Sequence, residues 1–197
     1  MWDDRYSTPD YVYGTAPNHF LVAARDRLPQ TGRVLCVADG EGRNGVWLAR
    51  QGFDVHSIDI SPNAQAKARK LAERFGVAIT TELADLETWD WPRAAYDAVV
   101  GIFIQPFGPA ARRALFANIG AALKPGGVFL LEGYRLEQLE RGTGGPGRAE
   151  NLYTEAQLRA ELGGFDIVSI DAYEREMHEG ETHKGLSALI DVVAVKP

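Results

Sequence analysis

The chain has 197 residues, 45% of them hydrophobic, which suits one domain with a substantial core and leaves little room for a separate substrate-binding domain. A net charge of -6 with no basic stripe argues against a nucleic-acid or anionic-membrane partner. The polar N-terminus, the lack of an apolar run near the ~20 residues of a membrane span, and the single cysteine, Cys36, point to a cytoplasmic chain without disulfides or a thiolate metal cluster.

Residues 19–28 suit a first helix, stopped by Pro29 and Gly32. A first strand over 33–38 runs into a loop holding Gly40 and Gly42, and a helix starts near Arg43 and ends before Gly52. A second strand covers 53–59. Ser61-Pro62 then gives an N-cap and a first-turn proline for a helix to Phe75. Residues 77–80 read as a short third strand and 96–104 as a fourth. A helix over 110–123 closes at Lys124-Pro-Gly-Gly127, and a fifth strand follows over 128–133. Residues 141–150 are too glycine-rich for regular structure and read as a mobile loop. Thr154 and Gln157 fit a capping box opening the last helix. Strands over 166–175 and 186–195, joined by a polar turn around 179–185, have no helix between them, so they form an antiparallel hairpin on an otherwise parallel sheet. The whole reads as a doubly wound α/β domain spanning 1–197, with 1–28 as an N-terminal lid and helix.

The loop after the first strand carries the most information. A buried strand, a glycine turn and a helix N-terminus let backbone N–H groups approach a nucleotide-like ligand closely. Gly40-Glu41-Gly42-Arg43-Asn44-Gly45 is literally a G-x-G-x-x-G match, which permits a nicotinamide-dependent oxidoreductase. Asp39 and Glu41 argue the other way: carboxylates repel a pyrophosphate and welcome a cationic ligand.

These features together resemble the class I S-adenosylmethionine-dependent methyltransferases, over essentially the whole chain. That family has a Rossmann-like, mostly parallel seven-stranded sheet ending in an antiparallel hairpin. Its D-x-G-x-G-x-G motif falls on 36–42, with Cys36 in place of the acid and Ala38 in place of the first glycine. The resemblance makes S-adenosyl-L-methionine the cofactor and assigns Ala38, Gly40 and Arg43 to its binding loop, with Asp39, Glu41 or Arg43 as substitutes for the missing acid. It assigns Asp59, followed by Ile60, to the ribose hydroxyls, and Asp85-Leu86 to the adenine. The exit of the fourth strand from Gly101 to Pro106 is where the methyl group faces its acceptor. More narrowly, the Gly42-Arg43-Asn44 continuation, the Trp2…Arg5-Tyr6 segment and a histidine on the final hairpin resemble bacterial small-molecule methyltransferases of the tellurite-resistance type. In that plan the stretch around Tyr13 is a lid over the cofactor's mouth.

Methyl transfer is an in-line displacement in which positioning and water exclusion supply much of the acceleration. A thiolate or reduced chalcogen oxyanion needs little base, whereas a protonated acceptor needs one within hydrogen-bond reach. His183 and His178, flanking the hairpin turn, are the candidate catalytic residues; His56 reads as a packing residue, and Arg112 and Arg113 as a solvated face. With no H-E-x-x-H and no Cys/His ligand spacing, no metal is expected. The acceptor is a small molecule, with a thiol or a chalcogen oxyanion in view, and the oligomeric state is open. A nucleoside-binding module without catalysis is the other reading.

Overall fold

A computed structural model describes residues 2–180 and 183–197. Met1, Glu181 and Thr182, the last two within the polar turn expected around 179–185, lie outside the described residues. Seven strands form one sheet: β1 (Arg33–Val37), β2 (Asp54–Asp59), β3 (Thr80–Leu83), β4 (Tyr96–Ile102), β5 (Leu123–Tyr134), β6 (Asp166–Glu179) and β7 (His183–Val195). Their order is β3-β2-β1-β4-β5-β7-β6. Strands β1 to β5 pair in parallel, and β7 pairs antiparallel with both β5 and β6. The strand order reverses between β1 and β4, and the crevice at their C-terminal ends is where such sheets bind ligands.

Among the described residues, six α-helices flank the sheet: α1 (Trp2–Arg5), α2 (His19–Ala23), α3 (Arg43–Arg50), α4 (Pro62–Phe75), α5 (Pro109–Ala122) and α6 (Glu155–Glu161). Alternate residues of the central strands feed opposite apolar layers, as a sheet covered on both faces requires. Leu35, Val37, Val99 and Phe129 pack with Phe116 and Ile119 of α5 and Leu158 of α6. Val34, Cys36, Val100 and Leu130 pack with Leu21 of α2 and Leu48 of α3. Burial raises the Cys36 thiol's pKa, as suits an inert core thiol. No helix among the described residues is long and apolar enough to cross a membrane.

Several boundaries differ from the sequence reading, among them β5, which starts at Leu123 rather than 128 and takes in residues 124–127. The helix expected over 19–28 is a single α-turn, capped by the Asn18 side chain on the Leu21 N–H at 3.0 Å, followed by a 3₁₀ turn over Arg25–Arg27. Leu28 must turn extended before Pro29, and Arg25 donates to the Pro29 and Gln30 carbonyls. The third strand lies at Thr80–Leu83 rather than 77–80: Val77 and Ile79 fill space beneath Val46 and Leu71, while the polar segment pairs with β2 as an edge strand. The hairpin ladder also runs further, from Glu179↔His183 inward, because backbone pairing continues through polar residues.

The hairpin brings three carboxyls into one row, Glu132↔Asp191↔Asp171 across β5, β7 and β6. Burial first, then Asp191 and Glu179, raise the Glu132 pKa. Burial, with Asp171 adding to it, pushes Asp191 up to about 7, against a hydrogen bond from Tyr173. The native state therefore holds protons that an unfolded Asp, with a pKa near ~3.9, releases. Their stabilisation is complete below the unfolded value and is lost as pH rises toward 7. Asp191→Asn should flatten this fall, and melting temperatures measured from about pH 4 to 8 test it. An unchanged slope would remove Asp191 as its source.

Candidate active site

A cavity of about 720 Å³ opens over the C-terminal ends of β1, β2, β4 and β5. Its size suits a nucleoside cofactor together with a small second ligand. The β1–α3 loop forms its floor. Ala38 takes a left-handed backbone, φ 49°, where a side chain costs roughly 1–2 kcal/mol. Gly40 adopts φ 59°, and a Cβ there would lie 2.9 Å from the Tyr6 hydroxyl. Gly42 packs so closely on α4 that a Cβ would approach Ala68 Cβ to 2.6 Å. Glycine at Gly40 makes room for the Tyr6 hydroxyl, and at Gly42 it lets α3 and α4 meet.

The acids of this loop are committed to the protein. Asp39 accepts from Ser57 Oγ at 2.8 Å and from the Gly45 N–H at 3.3 Å, and burial pushes its carboxyl up to about 7. Glu41 takes Lys67 Nζ at 2.7 Å and the Val12 N–H at 2.8 Å. Arg43 pairs with Glu179 on the hairpin at 2.6 Å. None of the three therefore presents a free charge as a stand-in for the acid absent at Cys36. Asp39 and Glu41 both line the cavity and at the same time tie down the loop and the N-terminal strap.

Asp59 ends β2, buried on the cavity wall. Its Oδ2 accepts from the Gly40 N–H and its Oδ1 from the Ser61 N–H, both at 2.9 Å. Burial raises its pKa against those bonds. Each oxygen keeps a lone pair for a ligand. Exposed Ile60 and Asp85 line the same wall with buried Leu86, and Asp85 accepts from the Glu87 N–H at 3.0 Å.

The N-terminal strap closes the near side. Asp3 of α1 accepts from Ser61 Oγ at 2.6 Å and the Asn63 N–H at 2.9 Å, clamping α1 to the start of α4. Lys67 also reaches the Asp10 carbonyl at 2.6 Å. Trp2, Arg5, Tyr6 and Tyr13 reach the cavity as a result, with Arg5 donating to the Tyr13 hydroxyl at 2.8 Å.

On the β4–β5–β7 side, His183 sits in an aromatic box. Its ring centroid is 4.5 Å from Tyr13, 4.8 Å from Phe103 and 5.6 Å from Tyr134. Phe103 holds a left-handed backbone, φ 57°, at the exit of β4. Such strain in a bulky residue persists where neighbours over-determine it, commonly at functional sites. Burial lowers the His183 pKa, so the ring is neutral at pH 7. Gln105 fixes this wall: its Nε2 donates to the Tyr134 carbonyl at 2.9 Å and the Asn151 carbonyl at 3.1 Å, and its Oε1 accepts from the Tyr134 N–H at 2.6 Å. Gly145 to Arg148, from the glycine-rich loop, line the mouth.

Of the residues singled out from sequence, eight cofactor candidates, Tyr13, Ala38, Gly40, Arg43, Asp59, Ile60, Asp85 and Leu86, meet in this one cavity with the catalytic candidate His183. Two do not. Gly101 lies inside β4, where a Cβ would strike Ile104 Cδ1 at 2.7 Å, so it serves packing. His178 is exposed on β6, opposite Lys184, away from the cavity. Alternation along the strand puts it outside, which corrects its place beside His183 as a catalytic candidate. Arg112 is also corrected: it is buried, not solvated, and grips Glu161 with two bonds at 2.7 and 3.0 Å. His56 is a partnered core residue, 2.7 Å from the Tyr96 hydroxyl and 3.0 Å from Glu82. The sequence reading placed Phe103 and Gln105 in the strand exit facing the acceptor but gave neither a role of its own, and it did not single out Asn151. A polar residue inside the apolar strand-exit run Gly101–Pro106 was the visible signal for Gln105.

Residues 34–127 match the family model described as a methyltransferase domain. A glycine/sarcosine N-methyltransferase of Parasynechococcus marenigrum is 33% identical over 113 residues, 55% of this chain and 40% of the relative. A protein-L-isoaspartate O-methyltransferase of Anaeromyxobacter dehalogenans is 33% identical over 122 residues, 61% of this chain and 58% of the relative. The chain thus spans about two fifths to three fifths of the length of these curated relatives. TehB from Haemophilus influenzae superposes with a TM-score of 0.76 at 18% identity, covering 100% of this chain and 66% of that one. A structure solved for the conversion of a disulfide bond into a thioacetal group during echinomycin biosynthesis gives 0.78 at 23% identity, covering 98% of this chain and 88% of that one. The sheet order, the glycine-loop cavity and the matched segment are those of the class I α/β methyltransferase fold. Over residues 34–127 the chain is similar to methyltransferases, and it shares its fold with S-adenosylmethionine-dependent ones.

The cavity fits the cofactor of those enzymes. Asp59 offers paired acceptors, Gly40 packs under the Tyr6 hydroxyl on the cavity floor, and Ile60 and Leu86 supply apolar walls for a flat base.

Proposed function

We propose that this chain transfers a methyl group from S-adenosyl-L-methionine to a small-molecule acceptor, either a thiol or a chalcogen oxyanion, beside His183. When bound, the cofactor supplies a methyl group on a sulfonium, which leaves as a neutral thioether. Asp59 accepts from the ribose hydroxyls, Asp85 and Leu86 hold the adenine, and Ala38, Gly40 and Tyr13 enclose the remainder. The strap and the 145–148 segment exclude water. The observation that carries this reading is the placement of His183, boxed by aromatics on the cavity wall next to the β4 exit, where burial lowers the imidazole's pKa. A neutral base serves an acceptor that arrives with a proton, which favours the thiol over the oxyanion.

A second reading, an amine acceptor, is favoured by the names of the relatives, two of them glycine/sarcosine N-methyltransferases. S-Adenosylhomocysteine release across thiols, selenite, tellurite and small amines separates these acceptors. Calorimetry with S-adenosylhomocysteine and NAD checks the cofactor. His183→Ala should lower turnover of a proton-bearing acceptor by about 10²-fold or more, the usual contribution of a general base. Cofactor-product affinity should stay near wild type. Tight S-adenosylhomocysteine binding with no turnover on any acceptor would leave a binding module instead.

A further inference from the structure

We propose that Glu179 is the positioning residue for His183: Arg43 fixes its carboxylate, the carboxylate takes the imidazole Nδ1–H, and Nε2 is left to receive the acceptor's proton. This rests on the reading of His183 just given.

Glu179 and His183 face each other as the last pair of the hairpin ladder. Glu179 Oε2 lies 4.0 Å from His183 Nδ1, and that buried nitrogen has no hydrogen-bond partner among the described residues. Glu179 is therefore the acceptor within reach, at a spacing typical of catalytic bonds that tighten only once ligands bind. The carboxylate itself is fixed from elsewhere in the fold. Arg43 Nη2 lies 2.6 Å from Oε2, and Asn18 Nδ2 donates to Oε1 at 3.2 Å. Asn18 is in turn held by Asn44, which accepts its N–H at 2.9 Å. Arg43 and Asn44 open α3, so the cofactor loop and the hairpin base share one frame.

The electrostatics agree. Burial works against ionisation of Glu179, yet His183 and Arg43 hold its pKa at about 2. The charged and titratable groups facing the imidazole are Glu179, Arg43, Arg5, Tyr13 and Tyr134. Burial and the two arginines disfavour the imidazolium, and Glu179 alone among the acting groups favours it. Removing the carboxylate must therefore lower the His183 pKa. In the reaction, the acceptor's X–H proton passes to Nε2. The X–H electron pair forms the new bond to the methyl carbon, and the carbon–sulfur pair remains on sulfur. The imidazolium, balanced by Glu179, then releases its proton to water. A second tie keeps the ring in place: a Cβ at Gly180 would collide with the Val12 carbonyl, so the turn rests on the strap that Glu41 anchors.

Nitrogen-15 NMR of the histidine side chains in the full chain, with S-adenosylhomocysteine present, reads tautomer and titration without any acceptor. His183→Ala assigns the signal. Wild type should carry its neutral-state proton on Nδ1. Glu179→Gln should shift the His183 titration to lower pH and populate the Nε2–H tautomer, and Glu179→Asp should restore Nδ1–H in part. With an accepted thiol or amine, Glu179→Gln should also move the acid limb of the rate profile to lower pH. Wild-type ring protonation at Nε2 would overturn the proposal even if no variant folds. So would a Glu179→Gln titration that matches wild type. Failure of the base reading is separate, since it is turnover surviving His183→Ala.

Discussion

Arg112→Ala should unfold well below wild type, by on the order of 10 °C in melting temperature. Breaking a buried ion pair from one side typically costs about 3–5 kcal/mol, and each kcal/mol moves a chain of this size by roughly 2–4 °C. Arg112 is 1% exposed, and its two bonds to Glu161 and one to the Glu150 carbonyl, at 2.8 Å, leave no room for water to replace it. Its guanidinium also lies over the Tyr153 ring, 5.8 Å from the centroid. Truncation strands the Glu161 carboxylate, whose other contacts are Arg113 at 3.9 Å and Gln157 at 3.4 Å. The neighbouring Arg113→Ala, with a side chain 58% exposed, should stay within about 0.5 kcal/mol of wild type. Thermal melts of the two variants side by side decide the matter, and equal melting temperatures would dismiss the buried clamp. The clamp also reaches the cavity: Glu150 adjoins Asn151, whose carbonyl helps Gln105 set the cavity wall.

Asp59→Ala should weaken S-adenosylhomocysteine binding at least ~10-fold. Hydrogen bonds to a charged group contribute roughly 1.5–3 kcal/mol each before non-additivity, and 1.4 kcal/mol is tenfold. The same carboxylate holds the Gly40 and Ser61 N–H groups, so the loss reaches the shape of the glycine loop as well. Stability should fall too, by about 1–3 kcal/mol for donors left unsatisfied. Asp97→Ala offers the contrast. Asp97 accepts from the Arg33 N–H and from Lys124, both at 2.8 Å, outside the cavity, so it should cost stability and spare binding. Calorimetric titration of both variants separates the roles. Wild-type affinity in Asp59→Ala would show that the ribose sits elsewhere.

The local and periodic features of this protein were legible in its sequence. Alternating strand and helix signals, the glycines after β1, the Ser61-Pro62 cap and two successive C-terminal strands determine a doubly wound sheet ending in a hairpin, since each rests on neighbouring residues. The same adjacency rules placed Asp59 at a strand tip and Asp85 after the third strand. What only tertiary structure decided was the partner of each charge. Glu41 meets Val12 from 29 positions away and Glu179 meets Arg43 across 136, and no spacing rule connects such pairs. Arg112 reads as surface on its own helix and becomes buried only because α6 lies over it. His178 and His183 look equivalent beside a turn. The register of the hairpin separates them, because side chains on successive strand positions face opposite ways and the ladder fixes which way is inward.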